Sequence, residues 1–215
     1  MRFSFPIVDG FPAGALPETL ANVNPVMSRW SPLSLDGARM VREGQRKPLR
    51  YSAVALLFLP PLIAGSPADV LLIRRSAHYG SHRGQIGLAG GRAEVDDAGP
   101  VDTLLRELRE ELGIPGEVLM FHGQLPERRA IDGSMVLACV VTANLTRDRI
   151  KAAPDEVASV HFTPWTALTN MKRESFVFTM FGVRRESALY RVDGVTVWGL
   201  TASIITAADM LPSGQ

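Results

Sequence analysis

The chain has 215 residues, of which 46% are hydrophobic and 21% are charged, and its formal net charge is +1. This length fits one large domain or one domain with an extension, and the apolar fraction is sufficient for a buried core. The small net charge gives no basic field of the kind that nucleic-acid-binding proteins use, which makes extended DNA or RNA a poor candidate for a partner.

The chain has a single cysteine, Cys139, in an apolar run, where it is expected to be a buried small hydrophobe. A disulfide within the chain is therefore excluded, which fits a reducing compartment. No apolar stretch reaches the length needed to span a bilayer, and the N-terminal apolar run is too interrupted for a good signal peptide. We expect a cytoplasmic protein with no membrane partner.

Residues 1–48 are rich in Pro, Gly and Asn, and the basic run Arg42–Arg50 leads out of them. Ala15–Trp30 is compatible with a short helix, with Pro17 near its start and Pro25 breaking it. We expect an N-terminal extension that packs on the main domain as an arm. A lid or a dimer-forming segment, and with it a homodimer, is the alternative. Residues 49–215 would then form the main domain.

The main domain is predicted to begin with a hairpin of two strands. Tyr51–Leu59 is a continuous apolar run ended by Pro60-Pro61, as expected for a strand buried on both faces. A turn rich in Gly, Ser and Pro follows, and Val70–Ile73 is predicted to return as the second strand.

A loop rich in polar and cationic side chains follows this hairpin, and it contains Arg74, Arg75, Ser76, His78, His82 and Arg83. It is either a solvated basic loop or a phosphate clamp, because guanidinium groups bind phosphate oxygens bidentately. Gln85–Leu88 predicts a short strand that leads to Gly90-Gly91. Two adjacent glycines let the backbone approach an ion closely, so that a carbonyl there can serve as a ligand.

A helix is predicted over Val101–Ile114, since Pro100 suits its first turn and Gly113 suits a left-handed cap after its last turn. At about 100° per residue, three carboxylates fall on one face and three leucines on the opposite face. The carboxylates are Glu107, Glu110 and Glu111, and the leucines are Leu105, Leu108 and Leu112. We expect the leucines to be buried and the carboxylates to point away from the core.

This carboxylate cluster has two interpretations. Like charges three or four residues apart destabilise an isolated helix by about 0.2–0.5 kcal/mol per pair, so the cluster needs a compensating positive charge. Arg106 and Arg109 supply one if the face is solvated and salt-bridged. In the second interpretation the compensating positive charge is a divalent metal ion, because hard oxygen ligands on one helical face suit Mg²⁺ or Mn²⁺. The helix alone favours neither.

The remainder of the chain predicts further strands and a final helix. Ser134–Leu145 is the most hydrophobic of the strands and is expected to be central, and Trp198 is expected to lie in the core. Strands on both sides of the acidic helix predict one mixed β-sheet with helices on both faces, which is an α/β fold. The predicted elements are strands at Glu117–Leu125, Ser134–Leu145, Glu156–Phe162 and Ser175–Met180, a hairpin at Ala188–Trp198 turning at Asp193-Gly194, and a helix at Thr201–Leu211.

The stretch from Gly91 to Ile114 resembles the Nudix box, G-x5-E-x7-R-E-U-x-E-E-x-G-U, in which U is aliphatic. The second half of the pattern is matched in full, whereas Asp97 replaces the Glu of the first half. Eight residues rather than seven separate Asp97 from Arg106. This variant resembles the Nudix subgroup that cleaves coenzyme A and related acyl-CoA diphosphates. The matching residues of the second half are Arg106, Glu107, Leu108, Glu110, Glu111, Gly113 and Ile114.

Two further segments resemble that subgroup, and together the resemblance covers about residues 49–211. Leu71–Gly91 is similar to its signature of R-S, then H-x-G-Q, then F-P-G-G, with Leu88-Ala89 in place of Phe-Pro. Val197–Ala202 is similar to the I-W-G-L-T-A that opens the subgroup's last helix.

The resemblance implies a Nudix-type α/β/α sandwich and a diphosphatase that depends on Mg²⁺ or Mn²⁺. The expected metal ligands are Glu107, Glu110, Glu111 and the Gly91 carbonyl. Arg106 would pair with a carboxylate of the box and fix its orientation, and Asp97 would assist through water. The general base is one of the box glutamates or an outside carboxylate such as Glu156, for which a solvated strand end is the plainer interpretation.

The resemblance also implies a small nucleotide substrate. Arg75 and Ser76 are expected to contact it, with His82 as an orienting or hydrogen-bonding group and Gln85 beside it in the same motif. The expected substrate is coenzyme A or an acyl-CoA, and the products are 3′,5′-ADP and 4′-phosphopantetheine. The alternatives are another nucleoside diphosphate derivative, such as ADP-ribose, NADH or a dinucleoside polyphosphate, and a nucleotide-binding module without turnover.

Overall fold

The computed structural model describes residues 51–63, 66–78, 82–130, 132–170, 174–180 and 182–210. The predicted extension over residues 1–48, with its helix at Ala15–Trp30, lies outside the described residues. Within them no helix is long and apolar enough to cross a membrane.

The described residues form eleven strands and three α-helices, with single turns of 3₁₀-helix at Gly116–Val118 and Arg147–Arg149. The helices are α1 (Pro100–Leu112), α2 (Trp165–Thr169) and α3 (Gly199–Asp209). The strands are β1 (Tyr51–Leu59), β2 (Asp69–Arg75), β3 (Ile86–Gly87), β4 (Ala89–Arg92), β5 (Leu119–Gln124), β6 (Arg128–Arg129), β7 (Met135–Ala143), β8 (Val157–Pro164), β9 (Glu174–Met180), β10 (Val183–Val192) and β11 (Val195–Trp198).

Strands β1 to β8 form one mixed sheet around β1 and β7, which are parallel and in register from Tyr51↔Met135 to Phe58↔Thr142. The other edge of β1 pairs with β4 near its start and with β2 at its end. β3 and β8 flank β2, and β5 and β6 pair with β7. The predicted mixed sheet and the central position of β7 are confirmed, because the long apolar runs of β1 and β7 suit strands covered on both faces.

The two faces of this sheet carry separate cores. Along β1, Ala53, Ala55 and Leu57 belong to the core beneath α1, whereas Leu56 and Phe58 belong to the core beneath α3. This alternation follows from the period of two in a strand. Cys139 lies in the α1 core and is 1% exposed, as expected of a buried thiol. A mixed sheet between helices is the predicted α/β/α sandwich.

The prediction of one sheet is wrong for the last three strands, which form a separate antiparallel sheet in the order β11-β10-β9. The predicted turn at Asp193-Gly194 is confirmed, with φ of 46° and 77°, as two-residue hairpin turns require. The prediction that Trp198 lies in the core is also wrong, because its side chain is half-buried and belongs to neither core.

Other differences concern short elements near the predicted site. The strand predicted over Gln85–Leu88 is present only as β3, and a second strand that was not predicted, β4, follows it and contains Gly90-Gly91. The strand predicted from Glu117 begins instead with a 3₁₀ turn, and α2 was not predicted. These pieces are two to five residues long, so their sequences carry too few periods for a pattern to be read.

Candidate active site

Helix α1 carries the acidic cluster, and both predicted ends are confirmed. Pro100 occupies the first turn, and Gly113 caps the helix in the left-handed conformation with φ of 65°. Leu104, Leu108 and Leu112 are fully buried and fix the helix on the sheet. Leu105, expected among them, is only half-buried. The buried face of the helix is therefore rotated relative to the predicted face, toward the side that carries the carboxylates.

The expected direction of the carboxylates is wrong for two of the three. Glu107 and Glu111 are 9% and 1% exposed, and only Glu110 points into solvent. The two buried carboxylates lie against the glycines of β4. Glu111 Oε2 accepts a hydrogen bond of 2.8 Å from the Gly90 amide.

The glycines of β4 are required by this close approach. Gly90 has φ of 129°, and a Cβ there would lie 2.3 Å from the Ala53 carbonyl oxygen on β1. A Cβ on Gly91 would lie 2.3 Å from Glu107 Oε1. Real Cβ atoms do not come so close to an oxygen, so any side chain would displace the strand or the carboxylate.

Arg106 joins the exposed and buried carboxylates. Its Nη1 donates to Glu107 Oε1 and to Glu110 Oε2, each at 3.0 Å. Its Nε and Nη2 donate to the two oxygens of Asp97 at 3.2 Å and 3.0 Å. This contact with Asp97 is direct and bidentate, the geometry that a planar guanidinium favours, whereas the sequence suggested an action through water.

Asp97 is held in turn by the start of α1. Its Oδ2 accepts hydrogen bonds of 2.9 Å from the Glu94 amide and from Thr103 Oγ1. Burial alone would raise the pKa of Asp97, but the hydrogen bonds from Arg106, Glu94 and Thr103 outweigh it and lower that pKa. Asp97 is therefore a negative group that stays ionised beside Arg106.

The pKa values of the two buried carboxylates, Glu107 and Glu111, are raised, in contrast to the lowered pKa of Asp97. Burial raises the pKa of Glu111 to about 7, against the opposing effects of the Gly90 amide and Arg75. Burial also raises the pKa of Glu107, although Arg106 opposes it. The charge of Glu156 raises both pKa values further. Both sites therefore favour a positive partner.

Of the predicted substrate contacts, Arg75 is the one that the structure brings to the acidic cluster. Its Nη2 donates to the Gly90 carbonyl at 3.0 Å, and its Nη1 lies 3.6 Å from Glu111 Oε1. Ser76 is 5% exposed, and its Oγ accepts from the His78 amide. His82 is exposed with φ of 64°, and its carbonyl accepts from the Gln85 amide.

Two contacts at the site join separate segments, for which the sequence has no local signal. The Ser76 amide donates to the Glu156 carbonyl at 2.8 Å, and this pairing brings Glu156 close enough for its charge to act on Glu107 and Glu111. The sequence named Glu156 as a possible outside carboxylate but favoured a solvated strand end. The link from Thr103 to Asp97 was missed.

A cavity of about 370 Å³ opens beside the exposed side of the cluster, and Arg106 and Glu110 lie at its wall. Among the residues that the structure describes, no three acidic, His or Cys side chains form a closed metal-ligand set. The carboxylates turn instead to the cationic nitrogens of Arg106 and Arg75. The remaining residues of the cavity wall are Asp96, Asp102, Leu105 and Arg109.

Known proteins resemble this chain over the same region. A family model described as the NUDIX domain matches residues 57–181. The "Uncharacterized Nudix hydrolase NudL" of Pectobacterium atrosepticum is 34% identical over 155 residues, which cover 68% of this chain and 77% of the relative. The protein of that name from Yersinia pestis is 32% identical over 154 residues, covering 68% and 74%.

A solved structure also matches, namely that of the Nudix hydrolase RenU from M. smegmatis. It is 23% identical, with a TM-score of 0.45, over 55% of this chain and 73% of that one. The family model covers more than half of the chain and includes the whole acidic helix with the glycines of β4. The chain therefore belongs to the Nudix hydrolase family, whose members act on nucleoside diphosphate derivatives and generally use divalent metal ions.

Proposed function

We propose that this Nudix hydrolase cleaves the diphosphate linkage of coenzyme A or an acyl-CoA by hydrolysis, giving 3′,5′-ADP and 4′-phosphopantetheine, which keeps its acyl group when the substrate is an acyl-CoA. One observation supports this choice within the family. The two segments that resemble the CoA-cleaving subgroup adjoin each other, because β3 packs on β11 and a Cβ on Gly87 would lie 3.6 Å from Thr201 Oγ1. The first segment then runs directly into Gly90 and Gly91.

The residues of the acidic cluster fit a hard divalent cation, and we propose Mg²⁺ or Mn²⁺. Glu107, Glu110, Glu111 and the Gly91 carbonyl would hold it. Glu107 and Glu110 already converge on one positive group, Arg106 Nη1, and burial raises the pKa of Glu107 and Glu111. When bound, the cation supplies charge neutralisation on the diphosphate and lowers the pKa of a water molecule.

The protein's own groups orient this site. Arg106 fixes Glu107 and Glu110, and Asp97 holds Arg106 from the other side. This arrangement would let the carboxylates hold the cation without rearranging, and charge that is already in place is most effective in stabilising a transition state. The proton of the attacking water is taken by one of the box glutamates or by Glu156, which acts on the same carboxylates through its charge.

Arg75 is proposed to contact a substrate phosphate while it remains fixed to the strand. A guanidinium has five N–H donors, and the contacts to Gly90 and Glu111 leave donors on a side chain that is 30% exposed. Ser76, His82 and Gln85 complete the proposed substrate loop. A cytoplasmic location, and the division into an extension at 1–48 and a hydrolase domain at 49–215, belong to the same proposal.

A product assay tests the proposed substrate. CoA, ADP-ribose, NADH and diadenosine polyphosphates are supplied in parallel, each with Mg²⁺ and with Mn²⁺, and each with a chelator as control. We expect 3′,5′-ADP from CoA with metal and no product with chelator. Preferential cleavage of ADP-ribose or a dinucleotide would discard CoA and retain the metal chemistry. No turnover of any substrate would instead favour a nucleotide-binding module.

A further inference from the structure

The outer face of the three-stranded sheet carries a group of aromatic side chains. Strand pairing places Phe176 opposite Ser187, Phe178 opposite Arg185, and Trp198 opposite Leu189, so that all six side chains share one face. The other face of β10 and β11 belongs to the core beneath α3. We call Phe176, Phe178 and Trp198 the aromatic platform.

The platform is well formed and accessible. Phe176 and Phe178 stack with ring centroids 5.4 Å apart, and Trp198 meets them edge-on at 5.7 Å and 6.0 Å. All three rings are half-buried. A cavity of about 420 Å³ lies over them and is also lined by Leu189, Arg191 and Thr196, which is within the range of about 300–1,000 Å³ typical of small-molecule sites.

Cationic side chains border the aromatic platform. Arg191 pairs with Thr196 and Arg185 with Phe178, so both arginines lie on the platform face. Glu174 is the carboxylate on this face, 4.0 Å from Arg191 Nε, and both side chains of that pair are more than half exposed. Exposed pairs of this kind are weak, which leaves Arg191 available to a phosphate.

The platform is connected to the candidate active site through the contact between two strands, β11 and β3. Trp198 ends β11, which packs on β3, and Gly87 of β3 is four residues before Gly91. At about 3.3 Å per residue, four residues of extended chain span about 13 Å. About 13 Å of backbone therefore separates the strand on which β11 packs from the glycines of the candidate active site.

We propose that the aromatic platform binds the purine base of the nucleotide substrate, with Arg191 facing a phosphate on its ribose. The proposal rests on the proposed function and adds to it the part of the site that recognises the nucleotide end. Aromatic rings stack on any base, and guanidinium groups supply the charge that a ribose phosphate requires.

The test uses the full 215-residue chain and 3′,5′-ADP as the probe. Binding is measured by calorimetry and by tryptophan fluorescence, in parallel with KM and kcat for CoA. We expect W198A to weaken 3′,5′-ADP binding roughly tenfold or more and to raise KM for CoA by a similar factor with little change in kcat. W198F, which keeps an aromatic ring, should retain most of the affinity.

Two arginine variants provide a matched comparison. R191A should weaken binding of 3′,5′-ADP more than binding of 5′-AMP, because only 3′,5′-ADP has a phosphate at the 3′ position. R184A is the control, since Arg184 is an exposed arginine of the same strand whose side chain lies on the opposite face. We expect R184A to bind both nucleotides as the wild type does. Both arginines are exposed, so neither change removes core packing.

The platform and the proposed function fail in different ways. If the wild type hydrolyses CoA while W198A and R191A keep its KM and its affinity for 3′,5′-ADP, the proposed role of the platform is refuted and CoA is retained as the substrate. If 3′,5′-ADP binding depends on Trp198 but CoA is not cleaved, the proposed role of the platform is supported and CoA is refuted as the substrate. No binding of 3′,5′-ADP by the wild type, or a change of oligomeric state in W198A with unchanged affinity, overturns the platform.

Discussion

Glu111→Gln gives the sharpest test of the electrostatics of the acidic helix. Burial raises the pKa of Glu111 from its ordinary value of 4.5 to about 7 in the folded protein. Between these pH values the folded state binds more protons than the unfolded state, so stability falls as pH rises. The contribution of the protonated carboxyl is fully present below pH 4.5 and is lost as pH rises through about 7.

The magnitude follows from the two pKa values. A difference of one in pKa corresponds to about 1.4 kcal/mol, so the full effect is about 3 kcal/mol, and between pH 5 and 8 it is between about 2 and 3 kcal/mol. Glutamine at position 111 keeps an oxygen that can accept the hydrogen bond from the Gly90 amide, but its side chain does not ionise in this pH range. We expect the free energy of unfolding of E111Q, relative to the wild type, to increase by that amount from pH 5 to pH 8.

The measurement is urea unfolding in the presence of a chelator at several pH values, with the m-value checked for constancy. Glu110→Gln is the matched control, because it removes a carboxylate from the exposed side of the same helix. E110Q should not reproduce the pH dependence of E111Q. Parallel stability curves for the wild type and E111Q would mean that burial does not raise the pKa of Glu111, and the electrostatic argument for a cation at this position would be lost.

Three further substitutions separate chemistry from packing. Glu110→Gln should reduce CoA turnover by orders of magnitude with little change in Tm, because it removes a proposed metal ligand from an exposed position; near-full activity would exclude that role. Gly91→Ala should reduce kcat by about tenfold or more, since a Cβ 2.3 Å from Glu107 Oε1 displaces that carboxylate and small misplacements in a site are costly; unchanged kinetics would show that Glu107 can move freely. Leu108→Ala should lower the free energy of unfolding by about 2–5 kcal/mol, because the side chain is fully buried, and an unchanged Tm would contradict its place in the core.

The sequence predicts the acidic helix well because its signals are local. Pro100 and Gly113 mark ends that the structure confirms, and a leucine stripe fixes one face. The error lies in the opposite face, where periodicity predicts solvent for Glu107 and Glu111. The structure buries both, because the glycines of β4 have no side chains to keep the carboxylates away from the strand. Helical periodicity describes one helix and carries no information on the strand packed against it.

The remaining errors also arise from contacts between distant segments. Whether β9 to β11 extend the main sheet or form their own is decided by strand pairing, which no strand sequence encodes alone. The apolar character of Trp198 predicts burial, and the structure places the ring on a face that the main sheet does not cover. The proximity of Glu156 to the acidic cluster likewise depends on a backbone contact with Ser76.

The departure of Asp97 from the family pattern illustrates what the box has to preserve. Aspartate is one methylene shorter than glutamate, and the loop before the helix is one residue longer than the pattern. The structure still brings both oxygens of Asp97 to Arg106, because the Glu94 amide and Thr103 Oγ1 hold the carboxylate at the start of α1. Arg106 can then face Glu107 and Glu110 with its remaining nitrogen. Three acidic side chains within two turns of one helix repel one another, and a guanidinium that is itself anchored reduces that repulsion without being drawn out of place. The requirement is therefore for an anchored positive charge at Arg106, and different loop lengths and either acidic residue can meet it.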